Sequence, residues 1–214
     1  MLARFGAAAV GYIAGLFPSA DLVAKGLDPR RAGSGNPGAA NIASLLGPRA
    51  GAAVFGLDMS KALVAAHVGR TLAGGTGANI AAAASVYGHC FPVHRNFRGG
   101  KGVAASFGQM LATFPAYLPV DIALGAVAAK SDFWKQRPVA TIGATCGLWV
   151  GLATVWVKRD LKGVFRTDPT WSVPVTAAAS SAAIVYRFWF EANSQPPPNP
   201  TEPLADAGQP HRGS

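Results

Sequence analysis

Long apolar stretches alternate with short polar segments from the start of the chain to about residue 190. Residues 5–24, 50–69, 72–93, 103–129, 138–157 and 171–190 each match the ~20 apolar residues a helix needs to cross a ~30 Å hydrocarbon core. Pro18 and Asp21 interrupt the first stretch, and Asp58, Lys61 and His67 lie within the second. The third is alanine-rich, and the fourth contains Pro115 and Pro119. That fourth stretch reads as one long span or as two short ones joined near Phe114-Pro115. The pattern predicts an all-α, polytopic integral membrane helix bundle of about seven (six to seven) transmembrane helices over residues 1–194. From Gln195 onward the chain is polar and proline-rich, which predicts a disordered tail over 195–214. The first stretch also reads as a signal peptide, with Arg4 in its n-region and Ser19-Ala20 at its end. A retained span is favoured, because the downstream residues do not look like a secreted domain.

Composition supports the membrane reading. The 214 residues are 50% hydrophobic and 14% charged, against about 25% charged in a soluble domain. Such hydrophobicity excludes a disordered chain. The net charge of +9 does not make a nucleic-acid binder, because the basic residues punctuate apolar stretches rather than forming a face of an ordinary domain. Cys90 and Cys146 cannot form a disulfide framework and read as small buried hydrophobes.

Loop charge predicts orientation. Residues 25–49 carry Lys25, Arg30, Arg31 and Arg49, and residues 94–101 carry Arg95, Arg98 and Lys101. These basic loops lie two spans apart, so both are expected on the cytoplasmic side. The basic segments 130–137 and 158–166 are separated by one span and cannot both be cytoplasmic. A double crossing by 103–129 puts the former inside, and a single crossing the latter. Charge alone slightly favours the latter.

Both early loops are rich in glycine. The first reads Gly33-Ser34-Gly35-Asn36-Pro37-Gly38-Ala39-Ala40-Asn41. Its glycines permit positive φ and close backbone approach to a ligand, consecutive N–H groups can cradle an anion, and Ser34, Asn36 and Asn41 add side-chain donors. A helix starting near Asn41 would aim its positive end at the same anion. The second loop ends in Gly99-Gly100-Lys101-Gly102 and offers backbone N–H groups beside an ammonium. It lacks the spacing of a nucleotide-binding P-loop. A flexible turn and a positive-inside anchor are the plainer readings of each loop alone. Together, on one membrane face, they predict a cradle for a phosphorylated small molecule.

Within the spans, Asp58 and Lys61 are three residues apart and share a helix face. Intramembrane ionisable residues point by default to function, with an interhelical packing pair as the alternative. His89 precedes the second loop and is expected to orient it by hydrogen bonding; His67 reads as interfacial. Sequence patterns for zinc hydrolases, serine hydrolases and His-x4-Asp acyltransferases are absent, and metal or cofactor binding has no support.

Ser34-Gly35-Asn36-Pro37-Gly38-Ala39-Ala40-Asn41 resembles the first motif of the bacterial acyl-phosphate-dependent glycerol-3-phosphate acyltransferases, the PlsY family. Gly88-His89-Cys90-Phe91-Pro92-Val93, followed by Phe97-Arg98-Gly99-Gly100-Lys101-Gly102-Val103-Ala104, resembles the second, and Gly51 to Lys61 resembles the helix between them. The resemblance implies a seven-helix membrane enzyme of the bacterial plasma membrane. It would move an acyl group from acyl-phosphate to the 1-position of glycerol 3-phosphate, giving lysophosphatidic acid and phosphate. It implies Ser34, Asn36 and Lys101 as catalytic. Gly35, Gly38, Asn41, Gly99, Gly100 and Gly102 would bind substrate phosphate, with Asp58, Lys61 and His89 in support. Membrane lipid and the two substrates are the expected partners. The seven-helix plan makes 103–129 cross twice, against the slight charge preference.

This sequence departs from the family pattern at three places. Ser44 stands where the first motif usually has Arg, and Arg49 lies five residues beyond it. In the third motif Tyr186-Arg187 keeps the start, but Phe188 and Glu191 replace His and Asn. The departures support a second reading, a catalytically impaired relative acting as a lipid-binding or partner subunit in a membrane complex. A small transporter using Asp58 and Lys61 is a third, and no internal repeat supports it.

Overall fold

The computed structural model describes residues 1–161 and 170–194. The expected tail over 195–214 lies outside the described residues, as do Lys162 and Arg166 of the last basic segment. The regular elements among the described residues are all helical: α1 Leu2–Gly15, α2 Ser19–Ala24, α3 Ala39–Leu46, α4 Pro48–Cys90, α5 Val103–Thr113, α6 Leu118–Lys130, α7 Asp132–Lys135, α8 Pro138–Lys158 and α9 Ser172–Ser194. Short 3-10 turns occupy Val93–Arg95 and Pro115–Tyr117. Three helical stretches among the described residues are long and apolar enough to cross a membrane: Leu2–Ala24, Pro48–Arg95 and Pro138–Lys158.

The predicted stretches 50–69 and 72–93 form two helical limbs, together labelled α4, joined by a sharp bend that folds one back on the other. Its backbone leaves the helix at Ala73 and Gly74, where Gly74 takes φ +63 and ψ −154. That conformation is open essentially to glycine alone. The limbs before and after the bend then lie side by side: Gly69 abuts the backbone of Gly77, and Ala65 packs with Ala81.

Small residues set how closely these helices approach. Ala7, Gly11 and Gly15 recur every four residues, which places them on one face of α1. Gly11 packs on the backbone of Ala81, and Gly15 on Ser85 and Gly88. A Cβ at Gly11 would stand 2.8 Å from the Ala81 Cα. Against lipid there is little hydrophobic gain from pairing helices, so close van der Waals contact between small residues drives association. α5 packs on the first limb of α4 in the same way, with Gly108 against Met59 and Phe107 edge-on to Phe55 at 5.5 Å. Outward faces are apolar, as at Ile13, Val64, Val127 and Val175, which are 59–65% exposed.

The 103–129 stretch runs out and back. α5 spans 11 residues, about 16 Å at 1.5 Å per residue, and ends at Phe114 before Pro115. After the Pro115–Tyr117 turn, α6 runs antiparallel to the start of α8. The Tyr117 hydroxyl donates to the Thr145 carbonyl at 2.7 Å, and its ring stacks near Trp149. Phe114, Tyr117, Trp149 and Trp156 form an aromatic core there. Cys146, early in α8, packs with Cys90 and Ile184, whereas Trp156 packs with Phe114 at the opposite end. The 130–137 segment therefore lies at the same end of the bundle as the two glycine-rich loops, and Lys158 at the other. The slight charge preference for 158–166 is overruled by the proline-induced reversal. α9 then returns its C-terminal end to the glycine-rich loops.

Candidate active site

The first loop is folded around Asn41. This side chain is 3% exposed. Its Oδ1 accepts from the Ser34 N–H at 2.9 Å, and its Nδ2 donates to the carbonyls of Pro29 and Ala32 at 2.9 and 3.1 Å. Asn41 is thus a strut of the loop, not the free donor its position implied. The N–H groups of Gly35 and Gly38 donate to Ala32 and Asn36 carbonyls. The helix that follows begins at Ala39 and is short; the membrane-length helix starts only at Pro48, after Gly47. Ser34 is exposed, and its hydroxyl has no hydrogen-bond partner among the described residues. Asn36 is half-buried and its Oδ1 likewise lacks a donor. Ser44 caps back onto the Asn41 carbonyl, and Arg49 is exposed beyond it.

One carboxylate ties this loop to the next. Asp21 accepts from Arg30 through both oxygens at 2.8 and 3.1 Å and from Arg95 at 2.9 Å. The paired Asp21 raises the Arg30 guanidinium above its ordinary pKa, and the Arg30 N–H holds the exposed Asp28 below the usual carboxylate range.

Asp58, Lys61 and His89 meet where the two limbs of α4 lie together. The Lys61 ammonium sits 2.9 Å from Asp58 Oδ1 and 3.2 Å from His89 Nδ1, and donates to the Phe17 carbonyl at 2.9 Å. His89 Nδ1 is 3.5 Å from the same Asp58 oxygen. Asp58 and Lys61 are 2% and 8% exposed. Their contact is an ion pair rather than an aligned hydrogen bond, since Asp58 Oδ1 receives no well-directed donor among the described residues. The helix-face neighbours read from the sequence do pair, and His89 joins them across the hairpin. His67 is exposed.

The second loop folds back onto the end of α4. The N–H groups of Gly99 and Gly100 donate to the carbonyls of Cys90 and His89, each at 3.1 Å. They are therefore not the open anion donors the sequence suggested. Glycine is required because the loop lies against main chain at Gly99 and against the His89 ring at Gly100: a Cβ on Gly99 would stand 2.8 Å from the Cys90 oxygen, and one on Gly100 2.9 Å from His89 Cε1. His89 orients the loop through its main-chain carbonyl, while its Nδ1 faces Asp58 and Lys61. Gly102 takes φ +85, and a Cβ there would meet Cys90 Sγ at 2.7 Å.

α9 completes the site. Arg187 donates to the Gly100 and Gly99 carbonyls at 3.2 and 2.5 Å. The Lys101 ammonium lies 2.8 Å from Glu191 Oε1 and 4.7 Å from the centre of the Phe188 ring. None of Asp21, Arg30, Arg95 or Arg187 stands out from sequence as a site residue. A basic residue at the retained start of the third motif was the available signal for Arg187.

Between these parts lies a cleft of about 350 Å³. Ser34, Asn36, Asn41 and Lys101 line it, with Asp58 and His89 at its floor. The starts of two helices also open onto it, α3 at Gly38 to Ala40 and α5 at Gly102 to Ala104. First-turn N–H groups have no intrahelical partner and carry the positive end of the helix dipole. The cleft thus presents two converging sets of backbone donors, a free serine hydroxyl and an ammonium, an arrangement suited to phosphate. A second cleft of about 420 Å³ shares Ser34 and Asn36 with the first and is lined by Arg30, Arg31, Arg98 and Arg187 together with Asp28 and Glu191. No cluster of His, Cys, Asp or Glu that could hold a metal occurs among the described residues.

A family model described as glycerol-3-phosphate acyltransferase matches residues 5–193. The glycerol-3-phosphate acyltransferase of Symbiobacterium thermophilum is 42% identical over 184 residues, covering 85% of each chain. That of Thermoanaerobacter sp. (strain X514) is 41% identical over 121 residues, 55% of this chain and 61% of the relative's length. The fold matches a crystal structure of PlsY, an integral membrane glycerol 3-phosphate acyltransferase, in its glycerol 3-phosphate form. The TM-score is 0.70 at 25% identity, covering 89% of this chain and 90% of that one. The same enzyme in its lysophosphatidic acid form matches at a TM-score of 0.68 and 26% identity.

Proposed function

Because this chain belongs to the glycerol-3-phosphate acyltransferase family and is an integral membrane protein, we propose that it transfers a fatty acyl group from acyl-phosphate to the 1-hydroxyl of glycerol 3-phosphate, releasing lysophosphatidic acid and phosphate. The observation that carries this reading is the convergence of the α3 and α5 N-termini on one cleft with Lys101. Two anionic substrates must be held together there, and helix N-termini beside an ammonium are suited to that task.

The acyl donor is already activated, so the protein need not supply a nucleophile. Cys90 is fully buried, and Ser34 has no base hydrogen-bonded to it among the described residues. The acceptor hydroxyl attacks the acyl carbon, the new ester C–O bond forms, and the acyl–phosphate C–O bond breaks. The hydroxyl proton leaves with the inorganic phosphate. The roles left to the protein are positioning and stabilisation of charge on the carbonyl oxygen and leaving group. Lys101, Ser34, Asn36 and the first-turn N–H groups are the donors for this. Asp58, Lys61 and His89 hold the floor, while Asn41, Gly99 and Gly100 hold the loops in shape rather than touching phosphate. The basic segments 25–49, 94–101 and 130–137 share one end of the bundle, which we assign to the cytoplasmic face of a bacterial plasma membrane.

The test is phosphate release by detergent-purified protein given palmitoyl-phosphate and glycerol 3-phosphate, beside Lys101→Ala. Acceptor-dependent release, reduced about a hundredfold by the substitution, is expected. Folded protein that releases no phosphate above background would refute this donor and acceptor pair and favour the non-catalytic reading.

A further inference from the structure

We infer that Glu191 sets the phosphate affinity of this chain by acting through Lys101: it is a built-in counter-ion that a phosphate ligand must displace. The inference rests on the reading of Lys101 as a phosphate donor. Phe188 and Glu191, two departures from the third motif, both converge on that one ammonium. The carboxylate oxygen is 2.8 Å away, and the ring centre 4.7 Å. Residues 187, 188 and 191 are one turn of α9, so Arg187, by gripping the Gly99 and Gly100 carbonyls, fixes the register in which Phe188 and Glu191 meet Lys101.

The pair is accessible enough to exchange. The Lys101 and Glu191 side chains are 26% and 22% exposed, so solvent screens their attraction and a stronger anion can take the ammonium. A carboxylate offers one charge. A phosphate monoester dianion offers two charges, three oxygens, and a fit to the α3 and α5 N–H groups that Glu191 on α9 cannot supply. A dianionic monoester therefore displaces Glu191 more readily than a monoanionic diester or a carboxylate. Once displaced, Glu191 stays tethered nearby and repels the phosphate. Its net effect is to weaken phosphate binding.

The experiment measures binding of inorganic phosphate to the full chain in detergent by titration calorimetry, with steady-state kinetics alongside. Glu191→Gln, nearly isosteric and uncharged, is expected to tighten phosphate binding about three- to tenfold. It should lower KM for glycerol 3-phosphate by a similar factor. Glu191→Asp, whose carboxylate is withdrawn by one methylene, should move binding in the same direction by less, and it carries the test should Glu191→Gln fail to fold. Unchanged or weaker phosphate binding in the substituted protein, or a kcat that falls while KM holds, overturns the inference. So does the absence of phosphate binding to both wild type and Glu191→Gln. If wild type binds phosphate, Glu191→Gln binds it no tighter and Lys101→Ala abolishes binding, the acyltransferase reading stands and only the counter-ion role falls. Wild-type binding in Lys101→Ala removes both.

Discussion

Replacing Asp58 by Asn preserves the volume of a buried side chain and removes its charge. The 2%-exposed carboxylate is the counter-ion of Lys61 at 2.9 Å. After substitution the ammonium keeps the Phe17 carbonyl at 2.9 Å and the longer 3.4 Å contact to the Gly15 carbonyl. Neutral carbonyls do not balance a charge that is 8% exposed, and removing one partner of a buried pair typically costs about 3–5 kcal/mol. For a chain of this length that corresponds to a loss of roughly 6–20 °C in Tm. Trp149 and Trp156, packed in the aromatic core, report the transition by fluorescence in detergent. Lys61→Met removes the orphaned charge, so Asp58→Asn/Lys61→Met should be less destabilised than the two single effects added together. The coupling should exceed about 1 kcal/mol. A wild-type melting temperature for Asp58→Asn, or additivity within ~0.5 kcal/mol, would refute the ion pair as drawn.

Gly99→Ala places a methyl 2.8 Å from the Cys90 oxygen and 2.6 Å from Pro92 Cδ, forcing the second loop off the end of α4. It should cost about 1–3 kcal/mol by overpacking and lower kcat/KM at least tenfold, read by the phosphate-release assay. Asp21→Asn removes the charge shared by Arg30 and Arg95 while leaving the cleft residues untouched. It should raise KM severalfold with a smaller effect on kcat, and make the 25–49 and 91–98 segments more open to limited proteolysis. Unaltered KM and cleavage rates would show that the loops are held without it.

Much of the scaffold is legible in the sequence, because bilayer-length apolar stretches and glycine-rich basic loops carry strong local signals. The helix-face spacing of Asp58 and Lys61 likewise gives their contact directly. The hairpin within α4 is legible as the separate stretches 50–69 and 72–93, but the place of its bend is not, since that rests on the backbone of Ala73 and Gly74 in a run with several glycines. Charge misjudged the 130–137 segment because it cannot sense the reversal at Pro115. At the site, the spacing identified loops but not the state of their donors. Whether the Gly99 and Gly100 N–H groups face a ligand or the His89 and Cys90 carbonyls is decided by a tertiary fold-back. The Lys101–Glu191 contact is non-local in the same way: it exists only because α9 returns to the end of the bundle where the loops lie.

The glycine and alanine seam joining α1 to the two limbs of α4 has a mechanical consequence. Ala7, Gly11, Gly15, Ala65 and Ala81 have no side-chain torsions to rearrange. Such a joint cannot adapt by changing rotamers as a leucine-filled core does; it either holds its register or separates. The bundle is therefore an unyielding chassis beneath the site. Any rearrangement falls instead to the loops and to the α5–α6 turn, whose aromatic neighbours retain torsions with which to respond.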